Sequence, residues 1–266
     1  MKWSNIPKSK IQLIRSLEHK KYRTQHGLFV VEGDKTVREI LDSSLIVECL
    51  LAKPAWLKQL PDKKKANQII EINEKELSQI SFQKTPNQAI ALVRIPYYQL
   101  DLAELTEGLS LYLDEVQDPG NLGTIIRMAD WLGIHHVFCG KGCADPFSPK
   151  TVQSTMGAVI RVKTYQTDEP FFQLLKTSHP DFPVYGTFLD GENLYNAPLS
   201  SQAVIVMGNE SKGISDRVTQ YVNKRLLIPS YPTGVPTSES LNVATAAAIV
   251  CAEFRRRQSL SGNLFQ

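Results

Sequence analysis

The sequence predicts an α/β protein whose main sheet carries a ligand site at the C-terminal edge of its strands. Short apolar runs suited to buried strands alternate with helix-period segments along most of the chain. In the second half, three such runs lead directly into polar loops, and in open α/β sheets that edge is where ligands bind. The length of 266 residues, with 42% hydrophobic content, exceeds the usual size of one domain and can fill two cores.

In the first half, Leu28 to Val31, Ile46 to Leu51, Gln68 to Ile72 and Ala89 to Val93 read as strands. Between them Lys35 to Leu41, Pro54 to Leu60 and Glu74 to Ile80 read as helices, the last with Asn73 as cap and Glu76 in capping-box position. This alternation predicts a small α/β domain over residues 1–97, followed by a linker over 98–108. A second domain is expected over 109–258, with a tail over 259–266. Rules of chain connection favour an unknotted, doubly wound sheet for it.

The second domain opens with Leu109 to Leu113, an apolar run suited to a buried strand. Asp118-Pro119-Gly120-Asn121 then supplies turn chemistry, and Leu122 to Leu132 has helical periodicity. Asn121 sits where an N-cap would be, Gly123 permits close approach, and Arg127 is expected one turn later on roughly the same face. A helix N-terminus favours anions and arginine grips phosphate as a bidentate fork, so this block suits a nucleotide phosphate. Taken alone, Asn121 is equally readable as a mere cap and Arg127 as a surface partner of Asp130. Val137 to Cys139 reads as the strand after that helix.

A second block begins where the strand Ala203 to Met207 runs into Gly208-Asn209-Glu210-Ser211-Lys212-Gly213. In the third, the strand Arg225 to Ile228 reaches Pro229, and a loop rich in Ser, Tyr, Pro, Thr and Gly leads to Ser240-Leu241-Asn242 and an alanine-rich helix, Leu241 to Arg257. Glu210 as a solvated loop charge and Ser240 as a simple helix cap are the plain alternatives. Three polar clusters after three separate strands argue against all of these holding at once.

Net charge is only +3, but its distribution is uneven. Residues 1 to 25 carry Lys2, Lys8, Lys10, Arg15, Lys20, Lys21 and Arg23 against the single acid Glu18, with His19 and Tyr22 interleaved. Such a segment is either a solvated face or an electrostatic footprint for nucleic-acid phosphates with an aromatic ring to stack on a base. Lys10, Arg15, Lys20, Lys21, Tyr22 and Arg23 are the RNA-binding candidates; Arg255 to Arg257 would extend the surface, as would Lys63 to Lys65, which reads first as a solubilising loop in the turn after Pro61-Asp62. Cys49, Cys139, Cys143 and Cys251 form no Cys-x-x-Cys pair, and His135-His136 near Cys139 lacks finger spacing, so neither disulfide framework nor metal is expected. There is no signal-like segment and no apolar run long enough for a bilayer, which predicts a cytoplasmic protein without a membrane partner. Neither Gly-x-Gly-x-x-Gly after a strand nor a Walker motif is present, which counts against other nucleotide-dependent enzymes.

Asn121 to Arg127, Gly208 to Gly213, Ile228-Pro229 and Ser240-Leu241-Asn242 together resemble the SpoU (TrmH-like) family of SPOUT RNA 2′-O-ribose methyltransferases, over about Lys8 to Arg257. The resemblance implies a C-terminal α/β domain tied in a deep trefoil knot that holds S-adenosylmethionine. It also implies an N-terminal substrate-binding domain like the ribosomal-protein folds that hold kinked RNA, and a homodimer. By the same resemblance Asn121, Arg127, Glu210, Ser240 and Asn242 match catalytic positions. Met207, Gly208, Gly213, Ile228, Pro229 and Leu241 match the cofactor site. The Ser230 to Glu239 stretch is longer than the family's usual link. The expected partner is ribosomal or transfer RNA; the alternative is an RNA-binding protein that retains the fold without catalysis.

Overall fold

Two sheets organise the computed structural model, which describes residues 6–60, 65–167, 170–232, 235, 238 and 240–260. The first half contains α1 (Lys8–Ser16), α2 (Lys20–His26), β1 (Leu28–Glu32), α3 (Asp34–Asp42), β2 (Val47–Ala52), α4 (Pro54–Leu57), β3 (Ile69–Glu71), α5 (Glu74–Ile80) and β4 (Ala89–Arg94). Each expected strand is present; the expected helix from Pro54 ends at Leu57 rather than Leu60. The sheet order is β1-β4-β2-β3, antiparallel except for β2 with β3.

Side chains alternate across this sheet, as the two-residue period of a strand requires. Ala89, Ala91 and Val93 of β4 join Val37, Ile40 and Trp56 on one face. Ile90 and Leu92 join Ile14, Leu17, Leu77 and Ile80 on the other. Both faces are covered, which is why β4 is a continuous apolar run. At α5 the expected capping box is in place: Asn73 accepts from the Glu76 N–H at 3.0 Å, and the Asn73 N–H donates to the Glu76 carboxylate at 2.9 Å.

The chain continues through α6 (Leu102–Thr106), β5 (Leu109–Leu113), α7 (Pro119–Trp131), β6 (His136–Cys139), α8 (Pro149–Thr155), β7 (Lys163–Gln166), α9 (Pro170–Ser178), β8 (Val184–Asn193), β9 (Ala203–Met207), α10 (Asp216–Thr219), β10 (Lys224–Leu227) and α11 (Val243–Leu260). The second sheet has six parallel strands in the order β10-β8-β9-β5-β6-β7. Its earliest strand, β5, lies inside the sheet between β9 and β6, so the order turns back on itself there. The Leu113↔Met207 pairing sets the C-terminal ends of β5 and β9 side by side.

Two stretches depart from the expected organisation. Residues 98–108, expected as a linker, contain α6, capped by Asp101 and anchored by the fully buried Leu105. Asp145–Ile160, expected within the second domain, instead forms one compact unit with the residues up to Tyr97; the other unit is Tyr98–Ala144 with Arg161 onward. The physical reason is apolar: Phe147, Val152 and Val159 complete the core around Phe29, whose ring centroid lies 5.0 Å from that of Phe147.

A buried ion pair locks the same segment. Arg23, an expected RNA contact, is only 2% exposed. Its Nη2 lies 2.5 Å from Asp145 Oδ2, and its Nη1 donates to the carbonyls of Leu17 and Glu18, both at 2.7 Å. The guanidinium is fully used, so Arg23 is a structural residue rather than a phosphate ligand. Removing it takes the Arg23 cation from a largely buried carboxylate, and breaking a fully buried pair costs about 3 to 5 kcal/mol. Arg23→Met is expected to destabilise the first unit by about 3 kcal/mol, followed in urea through the emission of buried Trp56. An unshifted transition would show that the pair contributes nothing.

Candidate active site

The register of β5 with β9 decides which loops meet, and local capping decides which side chains are free. After β5 the chain turns, and Asp118 caps α7 by accepting the Asn121 N–H at 2.9 Å, with Pro119 in the first helical turn. Asn121, expected as the cap, is therefore not the cap but lies two residues beyond Pro119, inside the first turn. Its side chain is released for other work. Asn121 Nδ2 donates to Glu210 Oε1 at 2.6 Å, and Asn121 Oδ1 accepts from Asn242 Nδ2 at 3.0 Å.

Glu210 is delivered by a tight turn after β9. Asn209 and Gly213 exchange backbone hydrogen bonds, both at 2.9 Å. Asn209 Oδ1 also accepts the N–H groups of Ser211 and Lys212 at 2.9 and 3.1 Å. Gly213 has φ 70, and a methyl group on Gly208 would collide with the Gly213 and Ile214 backbone. Both glycines are thus required by the turn itself.

Asn242 begins α11. Its Oδ1 accepts the N–H groups of Ala244 and Thr245 at 3.0 and 3.2 Å. The cap is Asn242, not Ser240, whose exposed hydroxyl makes no hydrogen bond among the described residues. One amide thus caps a helix with its oxygen and reaches Asn121 with its nitrogen. The result is a hydrogen-bonded chain, Glu210 to Asn121 to Asn242, joining three loops that lie far apart in sequence.

Arg127 stands outside that chain of bonds. Six residues at 3.6 per turn carry it about a third of a turn around α7 from Asn121, not onto the same face as expected. It is exposed and makes no hydrogen bond or ion pair among the described residues. Asp130, the surface partner considered for it, is instead gripped by Arg161, at 3.0 Å from Nε and 2.8 Å from Nη2. The Arg127 guanidinium is therefore available to an anion.

Of the expected cofactor positions, Met207 and Gly208 are buried, Ile228 and Pro229 half-buried, and Gly213 and Leu241 exposed. No hydrogen bond among the described residues ties Ile228, Pro229 or Leu241 to the glycine turn. Residues 233, 234, 236, 237 and 239 of the long loop lie outside the described residues. No cluster of His, Cys, Asp or Glu suited to a metal occurs among the described residues. His136 is engaged with Tyr165 at 3.2 Å and Glu104 at 3.6 Å, and burial holds its pKa below the ordinary histidine value. Sequence reasoning missed Asp118 and Asn209; the Asp-Pro pair ahead of an apolar-periodic run was the available signal for the first.

In the first unit, Lys20, Lys21 and Tyr22 are exposed on α2, with Lys21 Nζ 5.9 Å from the Tyr22 ring centroid. Arg15 is exposed but tied to the Ser81 carbonyl at 3.0 Å and stacked over Phe82; Lys10 donates to Gln68 at 3.2 Å. Lys2, Lys63 and Lys64 lie outside the described residues, and Lys65 pairs with Asp42 at 2.5 Å. In the second unit, the Arg255 to Arg257 cluster does not extend a free basic surface. Arg255 donates to the Leu132 and Gly133 carbonyls at 2.7 and 2.8 Å. Arg256 and Arg257 converge on Glu253, holding its carboxyl down at about 2.

A parallel sheet whose order reverses beside a braced polar cluster is the arrangement in which α/β enzymes bind nucleotide-like ligands, at the C-terminal edge of the strands. Residues 108–252 match the SpoU rRNA Methylase family, and residues 8–91 match the MRM3-like substrate binding domain. The 23S rRNA (guanosine(2553)-2'-O)-methyltransferase RlmP of Bacillus subtilis is 34% identical over 249 residues, 92% of this chain and 96% of that protein. A TrmH-family structure from Porphyromonas gingivalis has a TM-score of 0.85 and 41% identity, covering 96% of this chain and all of that one. The AdoMet-bound rRNA methyltransferase from Sinorhizobium meliloti has a TM-score of 0.83 and 28% identity, covering 95% of this chain and 96% of that one. The chain belongs to the SpoU rRNA methylase family, as its three sequence blocks predicted.

The two roles of Asn242 are separable. Asn242→Ser keeps a good cap but loses the amide donor, so the thermal midpoint should hold while methyl transfer falls about tenfold. Asn242→Ala should also lose about 1 kcal/mol of stability. Thermal denaturation beside a methylation assay checks both, and full activity in the Ser variant would contradict the role given to the Asn121 bond.

Proposed function

We propose that the protein transfers the methyl group of S-adenosylmethionine to a ribose 2′-hydroxyl of 23S ribosomal RNA. The observation that carries this reading is the Glu210–Asn121–Asn242 chain of hydrogen bonds on a protein matched along nearly its whole length by a ribosomal RNA 2′-O-methyltransferase. An RNA-binding protein that merely retained the fold would have no need of that brace.

The residues of the second unit fit the cofactor. Ile228, Pro229 and Leu241 offer partly open apolar side chains to a nucleoside, and Gly213 leaves its backbone exposed beside them, while buried Gly208 lets the turn close on itself. S-adenosylmethionine, when bound, supplies an electrophilic methyl group on a sulfonium. The protein's own task is alignment and charge. Correct positioning is worth on the order of 7 to 11 kcal/mol in well-oriented systems. Asn121, with both ends of its amide engaged, holds α7 in fixed relation to the glycine turn and to α11. Ser240, whose hydroxyl makes no hydrogen bond among the described residues, offers it to the ribose.

Arg127 is a poor base, since a guanidinium keeps its proton under ordinary conditions. We assign it to the target phosphate and to the alkoxide that develops as the 2′-hydroxyl loses its proton to phosphate or water. Lys20, Lys21 and Tyr22 contribute RNA affinity from the first unit. The same reading carries a trefoil knot in the second sheet, an active homodimer and a cytoplasmic location, each supported by the family likeness. Among the described residues no helix is long and apolar enough to cross a membrane. Its domain division is a substrate-binding domain over 1–97 and a methyltransferase domain over 109–258, with Asp145–Ile160 folding into the first unit.

Arg127→Ala should abolish methylation while calorimetry finds cofactor affinity intact; Arg127→Lys should lose about 100- to 1000-fold in turnover, because a point charge lacks the planar fork. Wild-type turnover in the Lys variant would refute the geometric role, and absence of cofactor binding by the folded wild-type protein would refute the function. Replacing Lys20 and Lys21 with Gln should weaken RNA binding and flatten its salt dependence by about one unit for each phosphate no longer neutralised. An unchanged slope would show that these lysines only solvate α2.

A further inference from the structure

The glycine turn hangs from the end of β5 at two points that the chemistry above does not use. Asp114, directly after β5, is fully buried. Its N–H donates to the Met207 carbonyl at 2.9 Å, and its Oδ2 accepts the Ser215 N–H at 2.7 Å. Arg217 Nη2 lies 3.6 Å from Oδ1, which makes no hydrogen bond among the described residues. A buried carboxylate is costly unless it binds something specific, and here the bond goes to the far end of the turn.

The second anchor holds the near end. Glu115 adopts the left-handed region at φ 56, a conformation that a non-glycine residue keeps only where its surroundings impose it. Its carbonyl accepts from Asn209 Nδ2 at 3.0 Å. Asn209 also shapes the turn with its other side-chain atom, through Ser211 and Lys212. Asp114 and Asn209 therefore grip the turn on either side of the point where Gly208 crosses Gly213 and Ile214.

We propose that Asp114 and Asn209 are positioning residues for S-adenosylmethionine: they set the Gly208–Ser215 turn in its binding shape before the cofactor arrives. The proposal rests on the assignment of this turn to the cofactor site made above. Preorganisation of this kind raises affinity by removing the cost of ordering a loop on binding. It acts on the cofactor and not on RNA affinity, which separates it from a merely structural role.

The test is calorimetric titration of the full-length protein with S-adenosylmethionine, with RNA affinity and thermal midpoint measured in parallel. Asp114→Ala should weaken cofactor binding about tenfold or more and leave RNA affinity unchanged. Asp114→Asn, whose amide oxygen still accepts the Ser215 N–H, should recover most of that loss. Asn209→Ala, at a half-buried site that leaves the core intact, should weaken the cofactor severalfold while lowering the thermal midpoint only slightly, and decides the matter if Asp114→Ala does not fold. Wild-type cofactor affinity in Asn209→Ala or in folded Asp114→Ala overturns the proposal. So does an equal loss of cofactor and RNA affinity, or a failure of Asp114→Asn to recover binding. If the wild-type protein itself binds no S-adenosylmethionine, the assignment of the site falls instead.

Discussion

The pairing of Leu113 with Met207 at the C-terminal ends of β5 and β9 is the constraint on which the site depends. Two strands almost a hundred residues apart in sequence are brought into parallel register, so the segments that leave them must share one edge. The chain leaves β5 towards the start of α7, and it leaves β9 directly into the glycine turn. The apolar character of both strands, buried along their whole length, is what makes that register firm. The polar residues at their ends inherit its precision.

Capping chemistry then sorts structural from functional side chains. Because Asp118 takes the orphan N–H at the head of α7, Asn121 is free to bridge, and because Asn242 caps α11 with one atom, the other remains for Asn121. Both amides in this chain of bonds are held at oxygen and at nitrogen, which limits their freedom. That rigidity suits a reaction whose protein contribution is alignment. Arg127 makes no hydrogen bond or ion pair among the described residues, which is compatible with the phosphate role proposed for it.

Much of this was legible in the amino-acid sequence, for local reasons. The strands β1, β2, β4, β5 and β9 are apolar runs bounded by polar punctuation, and the capping box at Asn73 is built entirely within four residues. The family blocks announced themselves because their polar residues sit at loop positions after strands. What escaped was non-local. Arg23 looks like part of a basic stripe until Asp145, 122 positions away, is placed against it. Asp145–Ile160 reads as part of the second domain until its apolar side chains are found in the core of the first unit. Lys163–Gln166 and the outer half of Val184–Asn193 are polar enough to hide as loops, since the first lies at the sheet's edge and the second runs out toward solvent.

If the braced site methylates a ribose hydroxyl of ribosomal RNA, the product can be read directly. Purified protein is incubated with unmodified 23S ribosomal RNA and methyl-labelled S-adenosylmethionine, and the RNA is digested with nuclease and analysed by mass spectrometry. The label is expected on the ribose of a single 2′-O-methylated nucleoside. Label on a base, or RNA that remains unlabelled while the protein binds it, would contradict that activity.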